Sequence, residues 1–166
     1  MTSSASAGKA NGATTGPAEL TAEEELVWRS LGRITQLLPR RLEADMVRAC
    51  GLTMTEFGVL QNLAEAPEGR LRMSELAEAV ALSASRVTRL VDDLGRRGWV
   101  DRERDPLDAR GAVASLTGPG EERRRAARPQ QILSARRHLL DHVPPEDLQH
   151  VGSILERIVQ EAGRQP

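Results

Sequence analysis

The stretch from residue 53 to residue 98 is divided into three short helical segments by capping residues and turns, and this division limits the folds open to the chain. Thr53 and Glu56 fit a capping box, in which each side chain satisfies a free N–H group at the start of a helix. Ser74 and Ser83 are predicted to cap the second and third segments. The apolar residues recur with helical spacing in all three: Phe57, Leu60 and Leu63; Leu76, Ala77 and Val80; and Val87, Leu90, Val91 and Leu94.

Two short β segments follow the third helix, which Gly98 is predicted to end. Residues 99–103 are predicted to form a strand, residues 104–111 a polar loop, and residues 112–116 the antiparallel partner. Residues 71–73 are long enough for one edge strand. A pair of short capped helices followed by a two-stranded hairpin predicts a winged helix-turn-helix, whose second helix is sized for the DNA major groove, about 12 Å wide.

The flanking segments are predicted to be helical, so the fold class is mainly α with a small antiparallel β-wing. One apolar stripe begins near residue 20, Pro39 is predicted to interrupt it, and a second helical piece covers residues 41–49. A long Arg-rich helix is predicted from residue 121 to about Asp141, with a kink at Pro129. A last helix begins near residue 144. The apolar residues of the first and last helices are Leu20, Val27, Leu31, Ile34 and Leu38, and Val151, Ile154, Leu155, Ile158 and Val159.

Composition narrows the class of protein further. Aromatic residues are 2% of the chain, so the core is expected to be aliphatic. The single cysteine, Cys50, excludes an intrachain disulfide, which suits a reducing compartment, and we expect a cytoplasmic protein. We find no apolar run long enough to span a membrane and no secretory signal pattern, so no membrane partner is expected. The formal net charge is −1, but residues 70–128 hold 13 basic and 10 acidic residues. The near-neutral total charge therefore includes a basic segment, residues 70–128, which we call the basic lobe.

The exposed face of the third helix has the chemistry for DNA recognition. Serine and threonine hydroxyls bond phosphates or base edges, and arginine reaches guanine with two hydrogen bonds. Asp92 and Asp93, toward the end of the helix, are interpreted as partners that hold arginine side chains in place, with Arg96 paired to Asp92 as one option. The run of residues 123–125 is interpreted as a solvated helix face. The candidate DNA-binding residues on this helix are Ser83, Ser85, Arg86, Thr88 and Arg89.

Six motifs in order resemble the MarR family of bacterial transcription regulators. They are residues 52–60 (LTMTEFGVL), 74–77 (SELA), 82–94 (LSASRVTRLVDDL), 98–102 (GWVDR), 105–110 (DPLDAR) and 116–120 (LTGPG). The Asp-x-Arg signature of the family's wing corresponds to Asp108 and Arg110, which adds both to the candidate DNA-binding residues. Ala109 departs from the pattern, because many relatives carry a second basic residue there.

The resemblance implies a homodimeric DNA-binding regulator that binds a pseudo-palindromic operator, often as a repressor that a small molecule releases. It implies dimerisation helices at 19–50 and 121–162 around a DNA-binding domain at 51–120. Residues 1–18 lie outside the resemblance and are predicted to be a disordered tail, because they are small, polar and without periodicity. Arg110 is expected to anchor the wing at the minor groove, whose negative potential attracts arginine. The family's effector pockets point to Trp28, Leu31, Phe57 and Leu60, with a small aromatic or anionic ligand.

Two further features admit a sensing role. Cys50 could be a peroxide-sensing thiol, but it lies outside the first helical piece and the chain has no tyrosine, so a small buried side chain is the simpler interpretation. His138 and His142 have the i, i+4 spacing of metal ligands, and a third ligand would be needed. We therefore predict no metal site and no cofactor.

An enzyme is the competing class of protein, and a winged helix used for protein interaction is a third. All three histidines lie in the C-terminal part, and no phosphate-binding glycine motif is present, so we do not expect an enzyme. An interaction module would show no salt-dependent DNA binding.

Overall fold

The computed structural model describes residues 19–105 and 111–163, and the N-terminal tail, Asp108 and Arg110 lie outside these ranges. The described residues divide into two compact units, one at 19–36 and one at 37–105 and 111–163. The helices are α1 (Ala22–Cys50), α2 (Met54–Glu65), α3 (Met73–Ala79), α4 (Ala84–Arg96), α5 (Gly118–His138) and α6 (Leu148–Gly163). The strands are β1 (Arg70–Arg72), β2 (Val100–Arg104) and β3 (Ala112–Leu116). The mainly α winged helix-turn-helix fold class is confirmed.

Helix α1 corrects the predicted break at Pro39, because it continues from Ala22 to Cys50 with Pro39 inside it. A proline in a helix removes one N–H donor and costs about 3 kcal/mol. The hydrogen bond that is missing would join the N–H of residue 39 to the Thr35 carbonyl. Pro39 and Thr35 are both exposed, so this hydrogen bond is missing on the outer side of the helix. The remaining helical hydrogen bonds keep the segment in one piece.

The sheet has three antiparallel strands in the order β1-β3-β2, so β3 is central. Val100 pairs with Leu116 and Arg104 with Ala112 along β2 and β3, and Leu71 pairs with Ala114 between β1 and β3. The predicted edge strand at 71–73 is therefore real but shifted by one residue. Ser74 does not cap α3, because the N–H of Arg72 bonds the Glu75 carboxylate at 3.0 Å and the helix begins at Met73.

One hydrophobic cluster fills the helix-turn-helix and its sheet. Its members are nearly or fully buried aliphatic side chains from three helices and two strands. They include Leu60 and Leu63 of α2, Leu76 of α3, Val87, Val91 and Leu94 of α4, Val100 of β2 and Ala114 of β3. Burying one such aliphatic side chain stabilises the fold by about 1.5–3 kcal/mol. The predicted capping box is confirmed, with Thr53 Oγ1 accepting from the Glu56 N–H at 3.0 Å and the Thr53 N–H bonding the Glu56 carboxylate at 2.8 Å.

A second, smaller cluster joins the end of α1, the start of α2 and α5. It consists of Met46, Leu52, Phe57 and Ala127. Trp99 packs against both clusters, so it connects the DNA-binding lobe to α1 and α5. No helix of the described residues has the length and apolar character to cross a membrane.

Candidate nucleic-acid interface

The N-terminus of α4 is open, unlike that of α2. Ser83 occupies the N-cap position in extended conformation, but its hydroxyl accepts no hydrogen bond from the first turn and lies 3.3 Å from the Ser85 hydroxyl. The first turn of α4 also contains no acidic residue. The positive end of the helix dipole is therefore not compensated by a side chain of α4 and is available to an anion.

The arginines of the N-terminal half of α4 are available for contacts outside the domain. Arg86 and Arg89 are exposed, and within residues 19–105 and 111–163 neither forms an ion pair. Thr88 differs, because it is half-buried and its hydroxyl donates to the Ala84 carbonyl at 2.9 Å. Its oxygen can then offer only an acceptor to a base or phosphate.

The C-terminal half of α4 holds its charges in pairs, as predicted for Asp92 and Asp93. Asp92 accepts from Arg102 of β2 at 3.1 Å, and Asp93 pairs with Arg96. The predicted option of Arg96 with Asp92 is wrong, because Arg102 crosses from the sheet to take that carboxylate. The free cationic surface of α4 is therefore confined to its first half.

The base of the wing is formed by the end of β2 and the start of β3, with Asp105 directly after β2 and Gly111 directly before β3. Asp105 is 4% exposed at its side chain, and its carboxylate lies 2.8 Å from Nε of Arg72. The N–H of Asp105 donates to the Gly111 carbonyl at 3.0 Å. Between Asp105 and Gly111 lie residues 106–110, where the sequence predicts the wing loop and which the structure does not describe.

A cationic stack joins α4 to α5, and sequence reasoning missed it. The guanidinium groups of Arg97 and Arg123 both lie over the Trp99 ring, at 5.0 and 5.4 Å from the ring centre, within cation–π range. Arg97 also pairs with the buried Glu56 at 3.0 Å. Gly120 permits the close approach, since a Cβ there would collide with the Trp99 carbonyl oxygen. The Gly-Pro-Gly sequence at 118–120 is the signal that could have indicated it.

The predicted solvated face at residues 123–125 is wrong for two of its three arginines. Arg123 donates to the Cys50 carbonyl at the end of α1. Arg124 is 17% exposed at its side chain, bonds Glu121 through two nitrogens at 2.6 and 2.9 Å, and reaches Gln61 of α2 at 3.0 Å. The pKa of Glu121 is lowered from 4.5 to about 2, and the hydrogen bonds from Arg124 are the largest cause. Arg124 and Arg123 therefore hold α5 to the rest of the domain.

The histidine pair does not have the geometry that its spacing suggested. Helix α5 ends at His138 because Leu139 leaves helical conformation, so His142 lies in a separate 3₁₀ turn and bonds the Arg137 carbonyl. His138 instead contacts Asp45 of α1 at 2.9 Å, beside Ser134 at 3.0 Å. The described residues contain no group of three His, Cys, Asp or Glu side chains placed to hold a metal ion.

Asp45 is a buried link between α1 and α5. The pKa of its carboxyl is lowered, mainly by the hydrogen bond with His138 and then by the one from Ser134. Cys50, one turn further along α1, is half-buried and its thiol donates to the Met46 carbonyl. Both groups are therefore engaged in contacts that hold the end of α1.

The four predicted effector-pocket residues differ widely in exposure. Leu60 and Phe57 are buried in the two clusters, Leu31 is half-buried, and Trp28 is 67% exposed. The effector-pocket assignment remains a prediction.

The N-terminal half of α1 and all of α6 expose apolar side chains. Trp28 and Val27 are each 67% exposed, and Val159 of α6 is 69% exposed. No residue of α6 is buried. Large exposed apolar surfaces mark sites of association in proteins.

Three comparisons with known proteins bear on this geometry. A family model described as the MarR family matches residues 51–111. Sco3205, a MarR family transcriptional regulator from Streptomyces coelicolor solved in complex with DNA, is 41% identical, with a TM-score of 0.80 over 91% of this chain and 93% of that chain. AbsC, a MarR family transcriptional regulator from the same organism, is 36% identical, with a TM-score of 0.80 over 89% of this chain and 99% of that chain.

A curated relative matches a shorter region. The transcriptional repressor MprA of Escherichia coli strain K12 is 34% identical over 86 residues, which are 52% of this chain and 49% of MprA. The chain thus spans about half the length of the curated relative it matches.

Proposed function

Because this chain belongs to the MarR family of transcriptional regulators, we propose that it binds double-stranded DNA with α4 in the major groove. The family consists of regulators, in agreement with the expectation that the chain is not an enzyme. The observation that supports this mode of binding is the state of the first half of α4. Its amides are uncapped and Arg86 and Arg89 are exposed, while Val87 and Val91 anchor the opposite side in the core.

Each group on this surface has a specific role in the proposal. Ser83 and Ser85, together with the first-turn amides, bind a backbone phosphate. Arg86 and Arg89 read guanine or bind phosphate, and Thr88 accepts a hydrogen bond. Arg110 anchors the wing in the minor groove, oriented by Asp108.

We infer that the protein acts as a homodimer on an inverted-repeat operator. The apolar side chains exposed on α1 and α6 support this, because a second copy would cover them. Two copies of α4 would then enter successive major grooves about 34 Å apart. The segments 19–50 and 121–162 would form the dimerisation region around the DNA-binding domain at 51–120.

A repressor role and release by an effector complete the proposal. The named repressor MprA among the relatives supports the first. For the second, a small aromatic or anionic ligand would act only by preferring one dimer geometry over the other. As a DNA-binding regulator the protein is expected in the cytoplasm.

Selection of bound duplexes from a random DNA pool tests the proposed function. We expect an inverted repeat to be enriched, and Arg89→Ala to weaken binding to it by about 1–3 kcal/mol if Arg89 reads a base. Arg96→Ala is the matched control, because it removes the same charge from the same helix at a residue already paired with Asp93. Equal losses for the two variants, or no enriched sequence, would contradict the proposal.

A further inference from the structure

The two faces of the three-stranded sheet carry arginines in different electrostatic surroundings. Side chains alternate between the faces along each strand, so the register of the strands places Arg70, Arg72 and Glu103 on one face, which we call the outer face. Arg70 lies 3.6 Å from Glu103, and Arg72 lies 2.8 Å from Asp105. Both arginines of β1 are therefore balanced by acidic residues.

The opposite face of the sheet packs on the helices, and β2 contributes Val100, Arg102 and Arg104 to it. Val100 is buried in the larger hydrophobic cluster. Arg102 lies 3.1 Å from Asp92, and we call these two residues the α4–β2 ion pair. Arg104 is exposed and forms no ion pair within residues 19–105 and 111–163. Arg104 is therefore the cation that this side of β2 leaves unbalanced among the described residues.

Helix α4 and strand β2 lie side by side and run in opposite directions. Gly95 lies against Val100, since a Cβ on Gly95 would be 3.4 Å from the Val100 carbonyl oxygen, and the α4–β2 ion pair joins residues further from the turn on both elements. From this ion pair, one turn back along α4 leads to Arg89, and two residues forward along β2 lead to Arg104. Arg89 and Arg104 therefore lie in the same direction from the ion pair.

The candidate DNA-binding surface of α4 thus continues onto β2. Arg89 and Ser85 precede Asp92 by three and seven residues, so all three lie on the side of α4 that the ion pair joins to the sheet. Strand β2 is at the edge of the sheet, so no other strand of the sheet covers its outer edge. A helix in the major groove has a row of phosphates on each side, and an element beside that helix faces one of these rows.

We propose that Arg104 binds a backbone phosphate at the edge of the major groove that α4 occupies. The ligand is a phosphodiester, to which a guanidinium group donates one or two charge-assisted hydrogen bonds. Contacts of this kind fix the register and orientation of a protein on the duplex and carry no sequence information. The inference rests on the proposed function, because it requires α4 to lie in the major groove.

Arg104→Gln and Arg70→Gln test the proposal as a matched pair, with the duplex selected by the wild-type protein as probe. Each removes one positive charge from an exposed arginine of the sheet, but Arg70 lies on the outer face. We expect Arg104→Gln to weaken binding about 10-fold at low salt, the loss of one charge-assisted hydrogen bond. The slope of log affinity against log salt concentration should also fall by about 1, because one phosphate contact is lost.

The control variants separate a contact from a general effect of charge. Arg70→Gln should change the affinity less than about twofold, because salt screens an exposed charge that makes no contact with DNA. Arg104→Lys keeps the charge and should retain the salt dependence of the wild-type protein. Equal effects of Arg104→Gln and Arg70→Gln, or an unchanged salt slope for Arg104→Gln, would overturn the proposal.

Sequence preference separates a phosphate contact from the other roles open to Arg104. A phosphate contact predicts that Arg104→Gln selects the same sequence as the wild-type protein and loses affinity equally for a random duplex. A changed sequence preference would overturn the assignment to phosphate. A charge that only keeps the edge strand from pairing with other chains predicts aggregation of Arg104→Gln with an unchanged salt slope, which would also overturn it. Failure of the wild-type protein to select any duplex would instead refute the proposed function.

Discussion

Helices α4 and α6 are both amphipathic, yet only α4 buries its apolar side within the chain. Val87 and Leu94 of α4 are fully buried against α2, α3 and β2, whereas Ile158 and Val159 of α6 are 47% and 69% exposed. The polar sides differ as well, since α4 presents near its open N-terminus two arginines, Arg86 and Arg89, that form no ion pair within residues 19–105 and 111–163. The apolar side of α4 is covered within the chain, which leaves its polar side for the proposed contact with DNA. The apolar side of α6 is exposed, and the proposed dimer depends on it.

The largest expected effect comes from the core of α4. Leu94→Ala should lower the free energy of unfolding by about 2–5 kcal/mol, because a buried leucine leaves a cavity. Urea denaturation measures this, and the loss should be the same at every protein concentration. Leu155→Ala of α6, where the side chain is 45% exposed, is the comparison. A concentration-independent loss of the same size for Leu155→Ala would remove the distinction between the two helices.

The association of α6 is tested next. Ile158→Asp should convert the proposed dimer to a monomer and reduce operator affinity, because a buried carboxylate without a partner opposes association. Analytical ultracentrifugation reports the mass, and circular dichroism should show the helix-turn-helix retained. Gln160→Asp, on the exposed opposite side of the same helix, is the control. A dimeric Ile158→Asp protein would place the interface elsewhere.

Acid should weaken the attachment of α5, the helix that precedes α6. The loss of stability should be smaller than the effects expected of Leu94→Ala and Ile158→Asp. Asp45 and Glu121 have folded-state pKa values lowered by their hydrogen-bond partners, so both favour folding above their ordinary pKa values. The contribution of Glu121 is lost as the pH falls from 4.5 toward about 2, and that of Asp45 is lost as the pH falls below 3.8, the ordinary pKa of its carboxyl. Thermal melting between pH 6 and pH 3, compared with Asp45→Asn, should give a shallower decline for the variant. Parallel curves would exclude Asp45 from the effect.

Most of the fold could be predicted because its signals are local. A capping box, an apolar spacing of three and four, and a glycine at a helix end each act within a few residues. The predictions were wrong where the outcome depended on more than neighbouring residues, such as which side of a helix faces solvent. Proline chemistry predicts a break at Pro39, but Pro39 lies on the exposed side of a continuous α1. The sequence pattern predicts that α5 continues to about Asp141, but the helix ends at His138 and a separate turn follows.

The candidate DNA interface divides in the same way. Arg86 and Arg89 could be identified from helical phase alone, because the opposite positions are apolar. Arg123 could not, because its partner Cys50 is 73 residues away and Trp99 stacks on it from another element. The helical period predicts the direction of a side chain, but it does not predict which residues of other elements contact that side chain.

The sequence by itself determined the order of capped helices and paired strands, the family resemblance and the residues on the outer face of α4. Only the tertiary structure decided which charges are already paired. It assigned Arg102 to Asp92, Arg72 to the buried Asp105, and Arg124 to Glu121, and it left Arg86 and Arg89 without ion pairs among the described residues. The reason is physical: secondary structure follows from nearby residues, whereas ion pairing depends on burial and on distances across the folded chain.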